Sequence, residues 1–383
     1  MLPSRTEEIQ GAVRTWLSQI DRPPVDFGMN RTQTFATLRD WQRQLYDAGW
    51  LGIGWRAEYG GRPGTGLDQI TVYEEIARER LPLPIGILGL DIVGPTILEH
   101  GTEEQRTRYI PPLLCGDEIW CQGFSEPEAG SDLASLRTKA TYDESARTFI
   151  VNGQKVWTSW ADHADQCALL VRTGGPDSRQ RGISYLLVPM DTAGIEVRPL
   201  TQITGDQEFC EVFFTDVVVP AENLLGEVND GWRTAMSTLA HERGGYLLRR
   251  RVELRAAMDD FVNETLPALG APDDIIEAKV GQCYVLLDAL DARAFDVARR
   301  LESDQLGHET AIDKLFLSKV EQAVFGGILD MLGDQRMLEM GTDGTEQGRW
   351  IHDYLYGRAS SIYSGTAQVQ RNIVANRVLG LPR

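Results

Sequence analysis

The chain has 383 residues, of which 42% are apolar and 25% are charged, and its formal net charge is −18. This length can bury a large core, and the composition is ordinary for a globular protein. Nucleic acid and anionic membranes repel a strongly acidic chain, so we expect neither as a partner. A small molecule that carries phosphate is not excluded, because backbone amides can bind one locally.

The cysteines and the N-terminus predict the compartment. Five cysteines are scattered without CxxC spacing, which favours reduced thiols over disulfides or a zinc site, and we expect no metal. The first ten residues lack the pattern of a signal peptide. Three prolines and Asp91 interrupt the most apolar run, 81–98, so it is predicted to form buried helix pieces and not a membrane span. We therefore expect a cytoplasmic protein.

Residues 1–118 are predicted to form an N-terminal helical domain. Helices are expected at 35–46, 67–79 and 103–114, the first on the helical spacing of its apolar residues. A glycine-rich loop, 59–66, separates the first two. It does not follow a strand and does not end in Gly-Lys-Ser/Thr, so we interpret it as a connecting loop and not a phosphate-binding loop.

From 119 to 228 the apolar period changes to two, which predicts a middle β domain. Short strands are predicted at Phe149–Val151, Lys155–Thr158, Ala168–Val171, Ile183–Val188, Ile195–Pro199 and Cys210–Phe214. Closely spaced short strands favour a small barrel or sandwich. Asn152-Gly153 lies between the first two, and Asn-Gly is the strongest short hairpin signal, so we predict a hairpin turn there.

From 229 to 383 the helical period returns. Four long amphipathic segments with short links are predicted at about 232–261, 276–301, 312–332 and 354–379. Such a pattern implies an antiparallel four-helix bundle. The predicted fold class is therefore α+β, with an N-terminal helical domain, a middle β domain and a C-terminal four-helix bundle.

The middle domain contains a polar cluster, Phe124–Asp132, with the sequence FSEPEAGSD. Pro127 and Gly130 break regular structure, and glycine among small hydroxyl residues lets several backbone N–H groups converge. Such a nest can hold the phosphates or the carbonyl edge of a flat, anionic cofactor. An ordinary surface turn is the alternative.

A second polar cluster, Val156–Trp160, has the sequence VWTSW. On a regular strand Trp157 and Ser159 lie on the same side of the sheet. They offer an aromatic face on which a ring can stack and a hydroxyl for the polar edge of that ring. The alternative is that Trp157 is an aromatic residue of the core.

Ser364-Gly365-Thr366 interrupts the last helical segment near its start. A glycine inside a helix costs about 1 kcal/mol relative to alanine. Two explanations stay open. Either the helix begins with Thr366 as its cap, or the backbone must approach a ligand closely at Gly365.

Three motifs agree in order, spacing and setting: QGFSEPEAGSD, KVWTS and IYSGTAQVQRNIVANRVLG. Together they resemble the signatures of the acyl-CoA dehydrogenase family over essentially the whole chain, and the subtype is similar to divergent actinobacterial members. The resemblance implies FAD between the middle domain and the bundle. It implies loss of a proton from Cα of an acyl thioester and transfer of a hydride from Cβ to flavin N5.

The resemblance also implies cofactor-binding residues by position. These are Phe124 and Ser125 at the pyrimidine side of the flavin, Ser131 near the pyrophosphate and the thioester, Trp157 on the ring, Ser159 at N5, and Thr366 and Gln368 at the adenosine end. The protein would supply orientation and electrostatics, and the flavin would supply the redox chemistry.

The position of the base departs from the commonest family pattern. In many members a glutamate before the Gly-Thr of the last helix is the base, and here that residue is Ser364. Its backbone N–H can still bond the thioester oxygen as charge builds there. Other members carry the base on the first bundle helix, directly before an arginine, and Glu242 occupies that place. A desolvated carboxylate has a raised pKa, which suits a general base. The alternative is a solvated Glu242 paired with an arginine.

The same stretch implies the substrate. Gly244 and Gly245 follow Arg243 in mid-helix, where glycine is unfavourable, and they make room for a bulky or branched acyl chain. The implied substrate is an acyl-CoA thioester, with an acyl carrier protein thioester as the alternative. The implied substrate-binding residues are Ser131, Arg243, Gly244 and Gly365.

The partners follow from the resemblance and from a second departure. The family implies an electron-transferring flavoprotein or a similar acceptor. The Arg-x-x-Phe-Gly signature that contacts the FAD of a neighbouring subunit is missing, and Asp330 and Asp334 stand where glutamine and glycine are usual. Because two carboxylates repel a pyrophosphate, we expect a dimer or tetramer that binds FAD weakly as a homo-oligomer or completes the site with a different subunit. A flavin oxidase or monooxygenase, and a non-catalytic partner subunit, are the alternative functions.

Overall fold

The computed structural model describes residues 4–23, 31–302, 307–334 and 347–382. Within these ranges the side chains at 176, 240–245, 301–302 and 347 lie outside the described residues. The elements follow the order helices, sheet, helices, which confirms the predicted α+β class.

The chain divides into two compact units. One contains 1–30, 64–83 and 243–383, and the other contains 31–63 and 84–242. The three-domain boundaries that we predicted at 118/119 and 228/229 stay a prediction.

The helices that precede the sheet confirm the three predicted ones. They are Arg5–Leu17 (α1), Arg31–Asp47 (α2), Gly66–Arg78 (α3), Gly94–His100 (α4) and Glu103–Cys115 (α5). Three of them begin at a capping box, in which Ser4, Thr65 or Thr102 accepts a hydrogen bond from the N–H three residues later. The capping box pairs two amides that the helix leaves unpaired, so these residues fix where α1, α3 and α5 begin.

The middle strands join into one mixed sheet. They are Trp120–Gly123 (β1), Lys139–Asp143 (β2), Thr148–Ser159 (β3), Gln166–Arg172 (β4), Ile183–Pro189 (β5), Ile195–Pro199 (β6) and Phe209–Pro220 (β7). The order is β1-β4-β2-β3-β7-β6, and β5 also pairs with β4. Strand β4 is parallel to β1 and β2 and antiparallel to β5. Every residue of β4 is buried, as the continuous apolar run in its sequence requires.

The hairpin turn that we predicted at Asn152-Gly153 is wrong, because both residues lie inside β3, which pairs with β7. The register shifts between Val151 and Gly153, so the dipeptide lies at a bulge. Asp216 holds the bulge: its N–H donates to Asn152 Oδ1 at 2.9 Å, and its Oδ1 accepts from Asn152 Nδ2 at 3.0 Å. A Cβ at position 153 would lie 2.6 Å from Thr138 Cα, so the close approach requires glycine.

The hairpin of this region joins β2 to β3 through 144–147. Asp143 Oδ1 accepts hydrogen bonds from the backbone N–H groups of Ser145 and Ala146 at 2.9 and 3.2 Å. Arg147 follows in the left-handed region, with φ 53°. An aspartate that bonds the backbone two residues on is an ordinary turn former, and the polar sequence DESAR carries this signal.

The C-terminal helices confirm three of the four predicted segments as continuous. They are Gly231–Asp260 (α6), the single turn Leu266–Ala268 (α7), Asp274–Glu302 (α8), Thr310–Leu332 (α9), Gln347–Tyr356 (α10) and Ala367–Ile373 (α11). The fourth segment, 354–379, is divided, because α10 ends at Tyr356 and α11 begins only after Thr366. No helix in the described part of the chain has the length and apolarity needed to cross a membrane.

An apolar core holds the bundle together. Its central residues come from α8 and α9, including Leu287, Leu290, Val320 and Val324, each at most 1% exposed. Burying one such side chain stabilises a fold by about 1.5–3 kcal/mol. Their spacing of three or four residues is what makes these helices predictable from the sequence.

Candidate active site

A backbone hydrogen bond joins the two polar clusters of the middle domain. Val156 N donates to Ser125 O at 3.0 Å, so the turn that contains Ser125 lies beside the strand that contains Trp157. The turn is tight, because Glu126 and Ala129 exchange backbone N–H···O bonds in both directions, at 3.2 and 3.0 Å. The structure thus brings together two clusters that the sequence places about 30 residues apart.

A buried ion pair between Lys155 and Glu126 holds this turn in place. Lys155 is fully buried, and its Nζ donates to Glu126 Oε1 at 2.8 Å and to the carbonyl oxygen of Phe124 at 3.1 Å. The two oxygens of Glu126 also accept the backbone N–H groups of Arg137, at 2.6 Å, and Thr138, at 2.8 Å. Buried charges are tolerated when they are paired and fully hydrogen-bonded, as they are here.

The pKa of Glu126 reflects this arrangement. Burial alone would raise the pKa of the carboxyl, but the Lys155 ammonium and the bonds from Thr138 and Arg137 outweigh burial and lower it. A carboxyl whose pKa is lower in the folded state stabilises the fold above its unfolded pKa, about 4.3. That stabilisation is lost as the pH falls through the folded pKa.

We therefore expect an acid-dependent difference between the natural protein and the Glu126→Gln variant. At pH 7 the natural protein should melt at the higher temperature, because only the carboxylate can pair with Lys155. The difference in Tm should shrink as the pH falls from the unfolded pKa, about 4.3, through the lower pKa of the folded carboxyl. Thermal melts from pH 7 to pH 3 measure it, and a pH-independent difference would contradict the assignment.

Arg172 organises the segment that follows Ser131. Ser131 itself is exposed, whereas Arg172 is buried. The Arg172 Nη2 donates to the carbonyl oxygens of Ala134 at 2.7 Å and Leu136 at 3.1 Å, and its Nη1 donates to Ser178 Oγ at 3.1 Å. One guanidinium thereby ties the segment after Ser131, which contains the short 3-10 helix Leu133–Ser135, to the sheet through backbone carbonyl groups.

Trp157 is not a core aromatic, because 60% of its surface is exposed. Its backbone is left-handed, with φ 60°, at a place where the register between β3 and β7 shifts from Lys155 to Thr158. The indole contacts the ring of Phe209 edge-on, with centroids 6.0 Å apart. Ser159, half-buried, ends the strand. Regular alternation is interrupted here, and a strained backbone that exposes a large aromatic ring is typical of a binding site.

The bundle contributes a second set of predicted residues, centred on a left-handed turn. Ser364 has φ 54° and Gly365 has φ 88°. Gln370 Nε2 donates to the Ser364 carbonyl oxygen at 2.8 Å, and a Cβ at position 365 would lie 2.7 Å from the same Nε2. Thr366 then caps α11, its Oγ1 accepting from Val369 N at 3.2 Å. The cap explains where the helix begins, and the packing of Gln370 explains the glycine.

The remaining predicted residues are placed as follows. Glu242, Arg243 and Gly244 lie in the backbone of α6, and their side chains lie outside the described residues. Gln368 is exposed on α11. Asp330 is exposed on α9 and accepts a hydrogen bond from Lys279 Nζ, which offsets the negative charge that we expected there.

Sequence reasoning missed Lys155, Glu126 and Gln370 as residues that shape the site. A lysine in an otherwise apolar strand pattern was a signal, because a fully buried lysine needs a carboxylate partner. Nothing in the sequence indicates that the partner is Glu126. In the part of the chain that the structure describes, no group of three or more His, Cys, Asp or Glu side chains could hold a metal ion.

Known protein families match nearly the whole chain. Three family profiles cover residues 4–117, 121–217 and 229–379, and they describe the N-terminal, middle and C-terminal domains of acyl-CoA dehydrogenase. The acyl-CoA dehydrogenase IpdE1 of Mycolicibacterium smegmatis is 38% identical over 98% of this chain and 98% of its own. IpdE1 of Mycobacterium tuberculosis is 37% identical over the same shares.

Solved structures agree in fold. The Tcur3481-Tcur3483 steroid ACAD has a TM-score of 0.86 and 28% identity, over 100% of this chain and 99% of that one. The ChsE4-ChsE5 complex from Mycobacterium tuberculosis has a TM-score of 0.80 and 26% identity, over the same shares. The resemblance read from the three motifs is thus confirmed. The chain belongs to the acyl-CoA dehydrogenase family of flavoprotein oxidoreductases and is an acyl-CoA dehydrogenase.

Proposed function

We propose that the protein oxidises the Cα–Cβ bond of a bulky or branched acyl-CoA, with FAD as its cofactor and Glu242 as the base that removes the α-proton. The observation that carries this proposal is the turn at Ser364. The position before Gly-Thr holds a serine that cannot act as a base, whereas α6 contains Glu-Arg-Gly at 242–244. A dehydrogenase needs one carboxylate at the α-carbon, and this chain offers it on α6.

The residues of the middle domain fit a flavin. Trp157 presents an exposed aromatic ring from a left-handed backbone, and a planar group that stacks on the ring would bury it. The Glu126–Lys155 pair and the Lys155 bond to the Phe124 carbonyl oxygen hold the adjoining turn, which lowers the ordering cost of Phe124 and Ser125 when the cofactor binds. When bound, FAD supplies the acceptor for the β-hydride.

The protein's own groups have four tasks in this proposal. Glu242 holds the α-proton after it leaves the substrate. The backbone N–H of Ser364 donates to the thioester oxygen as negative charge develops on it, a task for which the left-handed turn is preorganised by Gln370. Trp157 and Ser159 orient the ring and its polar edge, and Ser131 and Gly365 are the proposed binding residues for the thioester.

The acyl chain is proposed from two observations. Gly244 and Gly245 remove side-chain volume from α6 within one turn of Glu242. Relatives of similar length include a protein named as a steroid ACAD. Both favour a wide acyl group over a short straight one. An electron-transferring flavoprotein is the proposed acceptor, and a dimer or tetramer, with itself or with a different chain, is the proposed assembly.

Anaerobic bleaching of the flavin tests the proposal. The flavin-loaded protein is mixed with short straight, branched and steroidal acyl-CoA thioesters, and the loss of visible flavin absorbance is followed. We expect fast bleaching by a branched or steroidal thioester and slow bleaching by butyryl-CoA. No bleaching by any member of the panel would contradict dehydrogenation of CoA thioesters by this chain.

A non-catalytic partner subunit is the second candidate, favoured by the existence of the two-chain ChsE4-ChsE5 complex among the similar structures. The same experiment separates it from the first. A partner subunit purifies without flavin and bleaches nothing until a second chain is added. A flavin oxidase instead consumes oxygen rapidly after bleaching, and a dehydrogenase does not.

A further inference from the structure

Two tyrosine hydroxyls meet inside the bundle. Tyr246 on α6 and Tyr363, directly before the Ser364 turn, have their hydroxyl oxygens 2.5 Å apart. Their rings are nearly perpendicular, at 87°, with centroids 6.1 Å apart. This contact joins the first long helix of the bundle to the segment that leads into the turn, 117 residues later in the chain.

The helix end of this contact is rigid. Arg250, one turn after Tyr246, donates through Nη2 to Glu321 Oε1 on α9 at 2.6 Å, and through Nη1 to Glu253 Oε2 at 2.6 Å. The Glu321 side chain is fully buried. The pair holds the Arg250 side chain firmly, because separating a buried carboxylate from its arginine would leave a buried charge. Helix α6 is therefore anchored to α9 immediately beyond Tyr246.

Lys314 on α9 holds the Tyr363 end of the contact. The Nζ of Lys314 lies 4.6 Å from the centre of the Tyr363 ring, which is a cation–π distance. The same Nζ donates to Ser318 Oγ at 3.2 Å and to the carbonyl oxygen of Ser360. Tyr363 is thus fixed at its ring face by Lys314 and at its hydroxyl by Tyr246.

Both tyrosine hydroxyls are protonated at neutral pH. Burial raises the pKa of Tyr246 to about 12, and burial also raises the pKa of Tyr363. Both hydroxyls therefore keep their protons at neutral pH, and one donates to the other. Such a bond has a fixed length and direction, which two apolar rings in contact would not impose.

We propose that the Tyr246–Tyr363 hydrogen bond is a positioning contact for catalysis, which sets α6 against the Ser364 turn. Position 242 lies one helical turn before Tyr246 in α6, and Ser364 directly follows Tyr363. One hydrogen bond therefore sets the spacing between the element that bears the base and the element that bears the oxyanion donor. The inference rests on the roles proposed for Glu242 and Ser364. Neither tyrosine is a catalytic residue in this account.

A double-mutant cycle tests the contact in the flavin-loaded protein. Tyr246→Phe and Tyr363→Phe each leave one hydroxyl without its partner, so both single variants should melt at a lower temperature. The double variant replaces both hydroxyls by apolar edges of the same shape, so its Tm should return close to that of the natural protein. In contrast, kcat should fall about 10- to 100-fold in all three variants, because each loses the spacing. KM should stay unchanged.

Tyr284→Phe is the matched control. Tyr284 on α8 donates its hydroxyl to Asp259 Oδ1 on α6 at 2.6 Å, so it also ties a helix to α6, but at a position 13 residues after Tyr246. Its removal should lower Tm and leave kcat as it is. The substrate is whichever thioester of the short, branched and steroidal panel bleaches the flavin fastest.

The outcomes are separable. If kcat follows Tm, low in the single variants and restored in the double variant, the contact is merely structural and the proposal is wrong. If Glu242→Gln, measured in parallel, is inactive while the double tyrosine variant turns over normally, the positioning role fails and the proposed function stands. If Glu242→Gln is fully active, the proposed function fails, and the positioning role fails with it.

Discussion

Replacing Lys155 with methionine is expected to lower the free energy of unfolding by about 3–5 kcal/mol and to remove flavin from the protein. The methionine keeps most of the buried volume, but Glu126, which is 8% exposed in the natural protein, loses its cation. The cost of an unpaired buried carboxylate is the reason for the size of the effect. We expect the flavin to be lost because the turn at Phe124 and Ser125 then lacks the two hydrogen bonds from Lys155, to Glu126 and to the carbonyl oxygen of Phe124.

The measurement is a denaturant titration together with the ratio of flavin absorbance to protein absorbance. Lys139→Met is the control, because Lys139 is an exposed lysine of the neighbouring strand β2 and should cost little. Restoring stability with Lys155→Met and Glu126→Gln together would support the pair, since no charge is then left buried. A Lys155→Met protein that is as stable as the control and fully yellow would refute this assignment.

Replacing Glu242 with glutamine is expected to lower kcat about 100- to 10,000-fold. Glutamine keeps the shape of glutamate and cannot accept the α-proton, so flavin content and Tm should not change. His241→Gln is the control on the adjacent residue, because a helix turns by about 100° per residue and places position 241 on another face. Steady-state rates with an artificial electron acceptor measure both variants, and near-normal turnover of Glu242→Gln would exclude it as the base.

The long helices of the bundle were predictable because their pattern lies within one segment. Residues such as Leu287 and Leu290 on α8, or Val320 and Val324 on α9, recur at helical spacing and are buried as predicted. Their partners can be any apolar surface, so no distant residue has to be identified. The three motifs were informative for the same reason, since each is a local sequence.

The hairpin prediction failed because its outcome depends on a distant strand. Asn152-Gly153 has the local chemistry of a turn. However, Asp216 on β7 forms hydrogen bonds with both the oxygen and the nitrogen of the Asn152 side-chain amide, and these bonds hold the dipeptide in a bulge. Local propensity cannot distinguish a turn from a bulge when both need a flexible glycine. The turn at 144–147 was predictable from its local sequence. It was missed because Asn-Gly, eight residues after Glu144, is the stronger turn signal.

The supports of the site were not predictable, because each is a pair of distant residues. Lys155 and Glu126 are 29 residues apart, and Tyr246 and Tyr363 are 117 residues apart. Each residue taken alone is an ordinary member of its strand, turn or helix. Their importance comes from burial and from bonds that only the folded chain forms.

Isotope exchange tests most directly whether the Glu242 carboxylate accepts the α-proton. The flavin-loaded natural protein and its Glu242→Gln variant are incubated without oxygen in deuterium oxide with the thioester that bleaches best, and deuterium at the α-carbon is measured by mass spectrometry. We predict exchange with the natural protein and only the buffer background with the variant at equal flavin content. Equal exchange in both would show that another group takes the proton.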